Sequence, residues 1–172
     1  NGNIAEPVWK TKNDNIQRTY AYRYDALNRL TEANMFGIYV QGQLPLYNYK
    51  EGGISYDKNG NILRLERYGL KNDAVNYDKI DALTYQYMPA SNKLLLVSDT
   101  GDAAGFNNST TGTGPDYTYD IAGNLTSDKN KDIIAIAYNH LNLPVTITIS
   151  GNPVIANNGT ISYLYNAAGV KL

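Results

Sequence analysis

One pattern recurs along this chain and limits what it can fold into. A tyrosine in an alternating stretch is followed by Asp or Asn, two variable residues, a Gly or Asn, one more residue and usually an aliphatic. The clearest copies are Tyr24-Asp25-Ala26-Leu27-Asn28-Arg29-Leu30, Tyr56-Asp57-Lys58-Asn59-Gly60-Asn61-Ile62 and Tyr119-Asp120-Ile121-Ala122-Gly123-Asn124-Leu125. Looser copies run from Tyr87 to Leu94 (one residue longer, with Met88 in place of the acid), Tyr138 to Pro144 and Tyr165 to Leu172. The leading tyrosines sit at 24, 56, 87, 119, 138 and 165, so the steps are 32, 31, 32, 19 and 27 residues. Near-regular spacing in this range marks a repeat architecture.

Each copy reads as a β-hairpin. Two residues before the tyrosine lies Tyr22, Ile54, Tyr85, Tyr117, Ile136 or Tyr163, and the residues between are mostly small or polar. Side chains alternate along a strand, so each such pair shares one face of a half-buried strand. The Asp or Asn then opens a turn, because its side chain accepts a hydrogen bond from a backbone N–H two residues on. These openers are Asp25, Asp57, Asp120 and Asn139. Three residues later stand Asn28, Gly60, Gly123, Asn142 and, in the last copy, Gly169, the residue types that enter the left-handed region at low cost. A type I turn followed by such a residue leads into a bulged hairpin. Lys71–Leu83 is the best candidate for a short helical turn.

The chain holds sixteen tyrosines against two phenylalanines, so the hydroxyl end of the ring has a repeated use that a purely apolar core would not require. Tyr22, Tyr24, Tyr56, Tyr85, Tyr87, Tyr117, Tyr119, Tyr138, Tyr163 and Tyr165 lie in register and are expected to fill layers between hairpins. Tyr39, Tyr47, Tyr49 and Tyr68 are freer to be exposed, and Tyr39, Tyr47 and Tyr49 are the candidate ligand-binding residues, because exposed rings flanked by Asn and Asp can hold sugars.

Composition adds limits. Hydrophobic residues make up 42% and charged residues 18%, enough for one all-β domain with a lightly charged surface. Net charge is −1 and no basic stripe occurs, so nothing marks a nucleic-acid footprint. No apolar run reaches membrane-spanning length. Cysteine is absent, which excludes disulfides and thiolate metal sites within the sequence. Gly101 to Pro115 is rich in Gly, Ser and Thr and is expected to be an exposed, mobile excursion. Asn1-Gly2-Asn3-Ile4 repeats Asn59-Gly60-Asn61-Ile62, and Gly169 to Leu172 reads as the start of a return strand. The expectation is therefore a single array over 1–172, cut within repeats at both ends, whose unpaired strand edges favour self-association.

These residues resemble the YD-repeat, or Rhs-repeat, family. The resemblance covers nearly the whole chain and is carried most strongly by Tyr22 to Leu30, Tyr117 to Thr126 and Tyr138 to Pro144; Tyr163 to Leu172 is similar to the stretch before the conserved core segment of bacterial Rhs proteins. It implies an all-β fold in which repeated β-hairpins form one continuous twisted antiparallel sheet, an open segment of a YD-repeat shell. It further implies a secreted or cell-surface bacterial protein whose partners are the rest of the same polypeptide and an enclosed C-terminal toxin or effector. Self-cleaving and effector segments of that family would lie past Leu172, so their activities do not attach to these residues. The other reading is an extracellular carbohydrate- or protein-binding adhesion module.

Enzymatic readings find little purchase. Asp25, Asp57 and Asp120 are chemically able to act as paired acids, but their identical turn position explains them without catalysis. His140, the single histidine, occupies a variable turn position with no evident partners. Asp57-Lys58-Asn59-Gly60-Asn61 lacks the closing bidentate Glu of a calcium loop. Gly112-Thr113-Gly114 is too short for a phosphate loop and no lysine follows. Asn108, Asn124 and Asn158 open glycosylation-type triplets. The expectation is a non-catalytic protein without a cofactor or metal.

Overall fold

The computed structural model describes residues 2–13, 15, 17–36, 49–108, 114–150 and 159–172. Tyr39 and Tyr47 lie outside them. The described residues form an all-β fold of two antiparallel sheets, both open. The first runs in sequence order through β1 (Val8–Lys10), β2 (Gln17–Tyr24), β3 (Leu30–Phe36), β4 (Lys50–Tyr56), β5 (Ile62–Leu70), β6 (Tyr77–Tyr87) and β7 (Leu94–Asp99). The second contains β8 (Tyr117–Tyr119), β9 (Leu125–Asp128), β10 (Ile133–Tyr138), β11 (Pro144–Ile149) and β12 (Gly159–Ser162), again each beside its sequence neighbour.

One continuous sheet was the expectation, and the first sheet ends at β7. The Asp116 N–H reaches the Leu95 carbonyl at 2.9 Å, but the Val97 N–H is taken by the Asp116 carboxylate at 3.1 Å. Pro115, the residue before, has no N–H to give a ladder. A side chain therefore ends the backbone pairing.

The chain divides into two compact units, Asn1–Tyr85 with Ser98–Phe106 and Gln86–Val97 with Asn107–Leu172. In the first, Ala33 and Leu83 are buried, and the carboxylate of Asp81 is buried with them at 1% exposure. Arg67 Nε pairs with Asp81 Oδ2, and the Phe106 N–H donates to Asp81 Oδ1 at 2.5 Å. The segment from Gly101 to Phe106 is thus docked rather than the excursion its composition suggests. Gly101 and Gly105 lie so close to the Ile80–Asp81 backbone that a β-carbon at either would overlap it. Asp99 and Asp102 secure the same segment: Asp99 Oδ1 accepts from Ala82 N–H at 2.7 Å, and Asp102 Oδ1 from Asn72 N–H at 2.8 Å.

In the second unit Val97 is buried beside a polar cluster of Asp116, Asp128 and Asn130. The Asn130 amide donates to Asp116 Oδ2 at 3.1 Å, and its backbone N–H to Asp128 Oδ1 at 3.0 Å. These bonds fix the 3-10 turn Lys129–Lys131, the one helical element among the described residues. Lys71–Leu83 is not helical. It forms a tight turn closed by Lys71 N–H on the Asn76 carbonyl at 2.8 Å and then enters β6. Asp73 fixes the turn, its Oδ1 accepting the Val75 and Asn76 N–H groups, both at 2.9 Å.

Candidate functional site

The repeated turns are the chemically distinctive part of the molecule. In five of them the opening Asp or Asn makes the same bonds. Asp57 N–H donates to the Asn61 carbonyl at 2.9 Å, Gly60 N–H returns to the Asp57 carbonyl at 3.2 Å, and Asp57 Oδ1 takes the N–H groups of Asn59 and Asn61 at 2.8 and 2.9 Å. Asp25 and Asn139 repeat all four bonds, as does Asn166; for Asp120 the side-chain bond to the Asn124 N–H is 2.8 Å. The fourth turn residue has positive φ each time: Asn28 62°, Gly60 90°, Gly123 91°, Asn142 57° and Gly169 79°. A register shift sits just before Tyr24, Tyr56, Tyr119 and Tyr138, as a bulged hairpin requires. The longer Met88 turn has no acid. There Ala90 takes φ 54° and the Ser91 hydroxyl accepts the Lys93 N–H at 3.0 Å.

The carboxylates are used up by these bonds. Asp57 and Asp120 are held below the ordinary Asp range chiefly by the side-chain amides of Asn61 and Asn124, and Asp25 chiefly by the Arg29 N–H. Such groups stay ionised and are poor proton carriers. N–H groups converge on each of them, which is the wrong polarity for a cation. Among the described residues no three His, Cys, Asp or Glu are grouped to hold a metal. His140 is an exposed residue of the Asn139 turn.

The leading tyrosines join one hairpin to the one before it. Tyr56 Oη donates to the Leu30 carbonyl at 2.6 Å, Tyr119 to Leu94 at 3.0 Å, Tyr138 to Leu125 at 2.7 Å and Tyr165 to Pro144 at 3.0 Å. Tyr24 donates to the Ile4 carbonyl at 2.8 Å. The acceptor lies just past the preceding turn, five positions after its Asp or Asn for Leu30, Leu125 and Pro144 and six after Met88 for Leu94. Burial raises the phenol pKa of Tyr56, Tyr119 and Tyr138, which keeps the donated proton in place. All ten in-register tyrosines are half-buried, none fully, so they line layers that water still reaches at the rim. Tyr22 stacks on Tyr20, and Tyr20 on Trp9, both at 5.9 Å between centroids. Tyr117 Oη is 3.3 Å from the Asn130 amide.

A second link was not anticipated from the sequence. At Arg29, Lys93, Asn124 and Leu143 the residue one step before the tyrosine's acceptor leans on the next hairpin. The Arg29 guanidinium lies 4.5 Å from the Tyr56 ring centre and donates to the Asp57 carbonyl at 3.1 Å. Lys93 Nζ lies 5.4 Å from the Tyr119 ring centre, the Asn124 amide donates to Asn142 Oδ1 at 2.9 Å, and Leu143 packs against Gly169. Residue type varies at this position, so a search for identical residues passes over it. The buried Asp81 is also missed, although its parity with Leu83 on β6 places both on one face.

Of the candidate ligand-binding tyrosines, Tyr49 is described. It is 43% exposed and meets Tyr77, itself 42% exposed, edge to face at 5.6 Å. Tyr68 is half-buried between Lys50 and Lys79. A shallow concavity of 410 Å³ in the first unit is lined by Gly53, Arg64, Glu66, Ala82, Leu83, Thr84 and Thr100. No family model matches the chain, and a comparison with curated proteins finds no match.

Proposed function

We propose that this chain is a non-catalytic structural segment of an Rhs-type protein, part of a β-shell that encapsulates or presents a C-terminal toxin or effector. The carrying observation is the relay of tyrosine hydroxyls onto the strand that follows the preceding turn. It recurs at Tyr24, Tyr56, Tyr119, Tyr138 and Tyr165. A relay of this kind suits a wall that grows one hairpin at a time and does its work by steric exclusion. The finer reading of an open segment of a YD-repeat shell, secreted or at a bacterial cell surface, belongs to the same proposal. The test is to express the parent polypeptide, image it, and digest it with protease. A hollow particle that protects the segment following this one is the expected result. A solid particle whose following segment is cut at the rate of the isolated peptide would remove the reading.

A second reading, an extracellular glycan-binding module, draws on the exposed rings of Trp9, Tyr49 and Tyr77. Titration with oligosaccharides separates the two. Saturable binding lost in Tyr49→Ala would favour the module, and none at millimolar sugar favours the shell.

A further inference from the structure

We propose that the concavity over β4, β5 and β6 binds a small hydroxylated monocarboxylate, whose carboxylate pairs with Arg64 and whose hydroxyl groups meet Thr84, Thr100 and Glu66. The proposal goes beyond both readings above. The site lies in the middle of the first sheet and needs neither a shell nor the exposed rings.

Strand register assembles the site. Ser55, Arg64 and Thr84 stand opposite one another across three strands, and so do Gly52, Glu66 and Ala82. Directly opposed residues share a face, so Arg64, Glu66 and Thr84 project to the same side. Thr100, just past β7, completes the rim. The floor is bare, because Gly53 and Ala82 bring almost no side chain. β4 bulges here: Gly53 and Ile54 oppose the single Leu65, and Gly53 takes φ 58°. A β-carbon on Gly53 would stand 3.2 Å from Glu66 Cγ, so glycine keeps the space open. The resulting 410 Å³ falls within the range of small-molecule clefts, about 300–1,000 Å³.

Charge selects the ligand. Three other cations on this face have an acid: Arg23 lies 3.4 Å and Lys50 3.1 Å from Glu32, and Lys79 lies 2.6 Å from Glu66. Arg64 has no acid among the described residues, and its planar fork matches a carboxylate. Glu66 limits the anion. Its Oε1 is held by Lys79, while Oε2 is 3.5 Å from the Tyr68 hydroxyl and keeps room to accept. A dianion such as phosphate would bring excess negative charge against Glu66, whereas a hydroxyl would donate to it. The Thr84 and Thr100 hydroxyls each donate and accept, and neither is bonded to another described residue. No aromatic ring lines the space, so hydroxyl groups and one carboxylate are what it can recognise.

The test is a titration of the full chain, 15N-labelled, with sodium gluconate at constant ionic strength. Saturable shifts at the amides of Gly53, Arg64, Thr84 and Thr100 are expected. Arg64→Gln should weaken binding by more than about tenfold, the worth of a hydrogen bond to a charged group. Thr84→Val should weaken it by about fivefold, the worth of a neutral one, and serves as a second variant should Arg64→Gln perturb folding. Tyr49→Ala should bind gluconate as the parent chain does, because that ring meets Gly69, on the opposite face from Glu66 and Tyr68. Acetate and sorbitol each carry half of the recognised chemistry and should bind at least about tenfold more weakly. No shifts at tens of millimolar gluconate, full affinity in Arg64→Gln, or equal binding of acetate, sorbitol or inorganic phosphate would overturn the proposal. A glutamate-rich peptide giving the same shifts at lower concentration would overturn it in favour of a protein partner. Either result leaves the shell reading standing, because that reading falls on protease protection.

Discussion

Replacing Tyr138 with Phe removes one oxygen and leaves the ring. Its hydroxyl sits 2.7 Å from the Leu125 carbonyl, so the change deletes one hydrogen bond and leaves a carbonyl that lies at a half-buried rim. A net hydrogen bond is worth about 0.5–1.5 kcal/mol, and a fully buried unsatisfied group would cost about 1–3 kcal/mol. Water reaches a half-buried site, which favours the lower range, so the expected loss is about 1 kcal/mol. Tyr56→Phe, in the other unit, loses a 2.6 Å bond to Leu30. The two sites share no partner and should add, giving about 2 kcal/mol in the double variant, or about 4–8 °C in Tm for a chain of this size. Tyr68→Phe is the internal control. Its hydroxyl is 3.5 Å from Glu66 Oε2, too far for a useful bond, and its loss should stay within about 0.3 kcal/mol. Urea unfolding with unchanged m-values measures all four proteins. If Tyr56→Phe and Tyr138→Phe match Tyr68→Phe, the hydroxyls are served equally well by water and the relay contributes nothing to cohesion.

The other predictions concern glycine, acid and alkali. Gly105→Ala should destabilise by more than about 3 kcal/mol, because its β-carbon would overlap the Asp81 carboxylate and the Ile80 carbonyl and no flexible side-chain tip can yield; thermal unfolding decides it. Ala74 holds φ 57°, so Ala74→Gly should stabilise by about 0.5–1 kcal/mol, with a fall in Tm refuting strain there. On the acid side, Asp25, Asp57, Asp102 and Asp120 have folded pKa values below 3.8, and Asp73 is lowered to about 2. Their contribution is complete above about pH 4 and is lost as pH falls through the folded values. Asp57→Asn and Asp120→Asn keep the acceptor oxygen, as Asn139 and Asn166 do naturally, and should flatten the acid limb of a stability–pH curve. Tyr56, Tyr119 and Tyr138 have raised folded pKa values, so their share persists below pH 10 and is lost as pH climbs past the folded values. Steeper alkaline unfolding than in the Tyr56→Phe/Tyr138→Phe double variant is the expected outcome.

The hairpin corners are legible in the sequence because their physics is local. An Asp or Asn takes N–H groups two and four residues on, and a Gly or Asn three residues on accepts the left-handed backbone; nothing distant is needed. Ala74 and Ala90 show the limit of that reading, since alanine advertises no such backbone and tertiary closure imposes it. Gly101 to Phe106 shows another. Composition alone makes that stretch look like an exposed, mobile excursion, yet glycine at two of its positions lets backbone lie on backbone against Asp81. The end of the first sheet is illegible for a related reason: it depends on where the Asp116 carboxylate finds Val97, a long-range meeting that no local pattern encodes.

Cohesion and order are handled by different positions of the repeat. The tyrosine hydroxyl finds a backbone carbonyl, which every residue type offers, so the same bond forms on Leu30, Leu94, Leu125 and Pro144 without regard to side chain. Such a bond can join hairpins but cannot tell one from another. Discrimination falls to the residue one step before the acceptor. Arg29 offers a cation to a ring and a carbonyl, Asn124 an amide to an amide, and Leu143 a methyl to a glycine. Exchanging these partners would strand a charge on an apolar corner or an amide against a methyl, at a cost the common bond does not recover. The pairing of neighbours would thus be set where the repeat is least uniform.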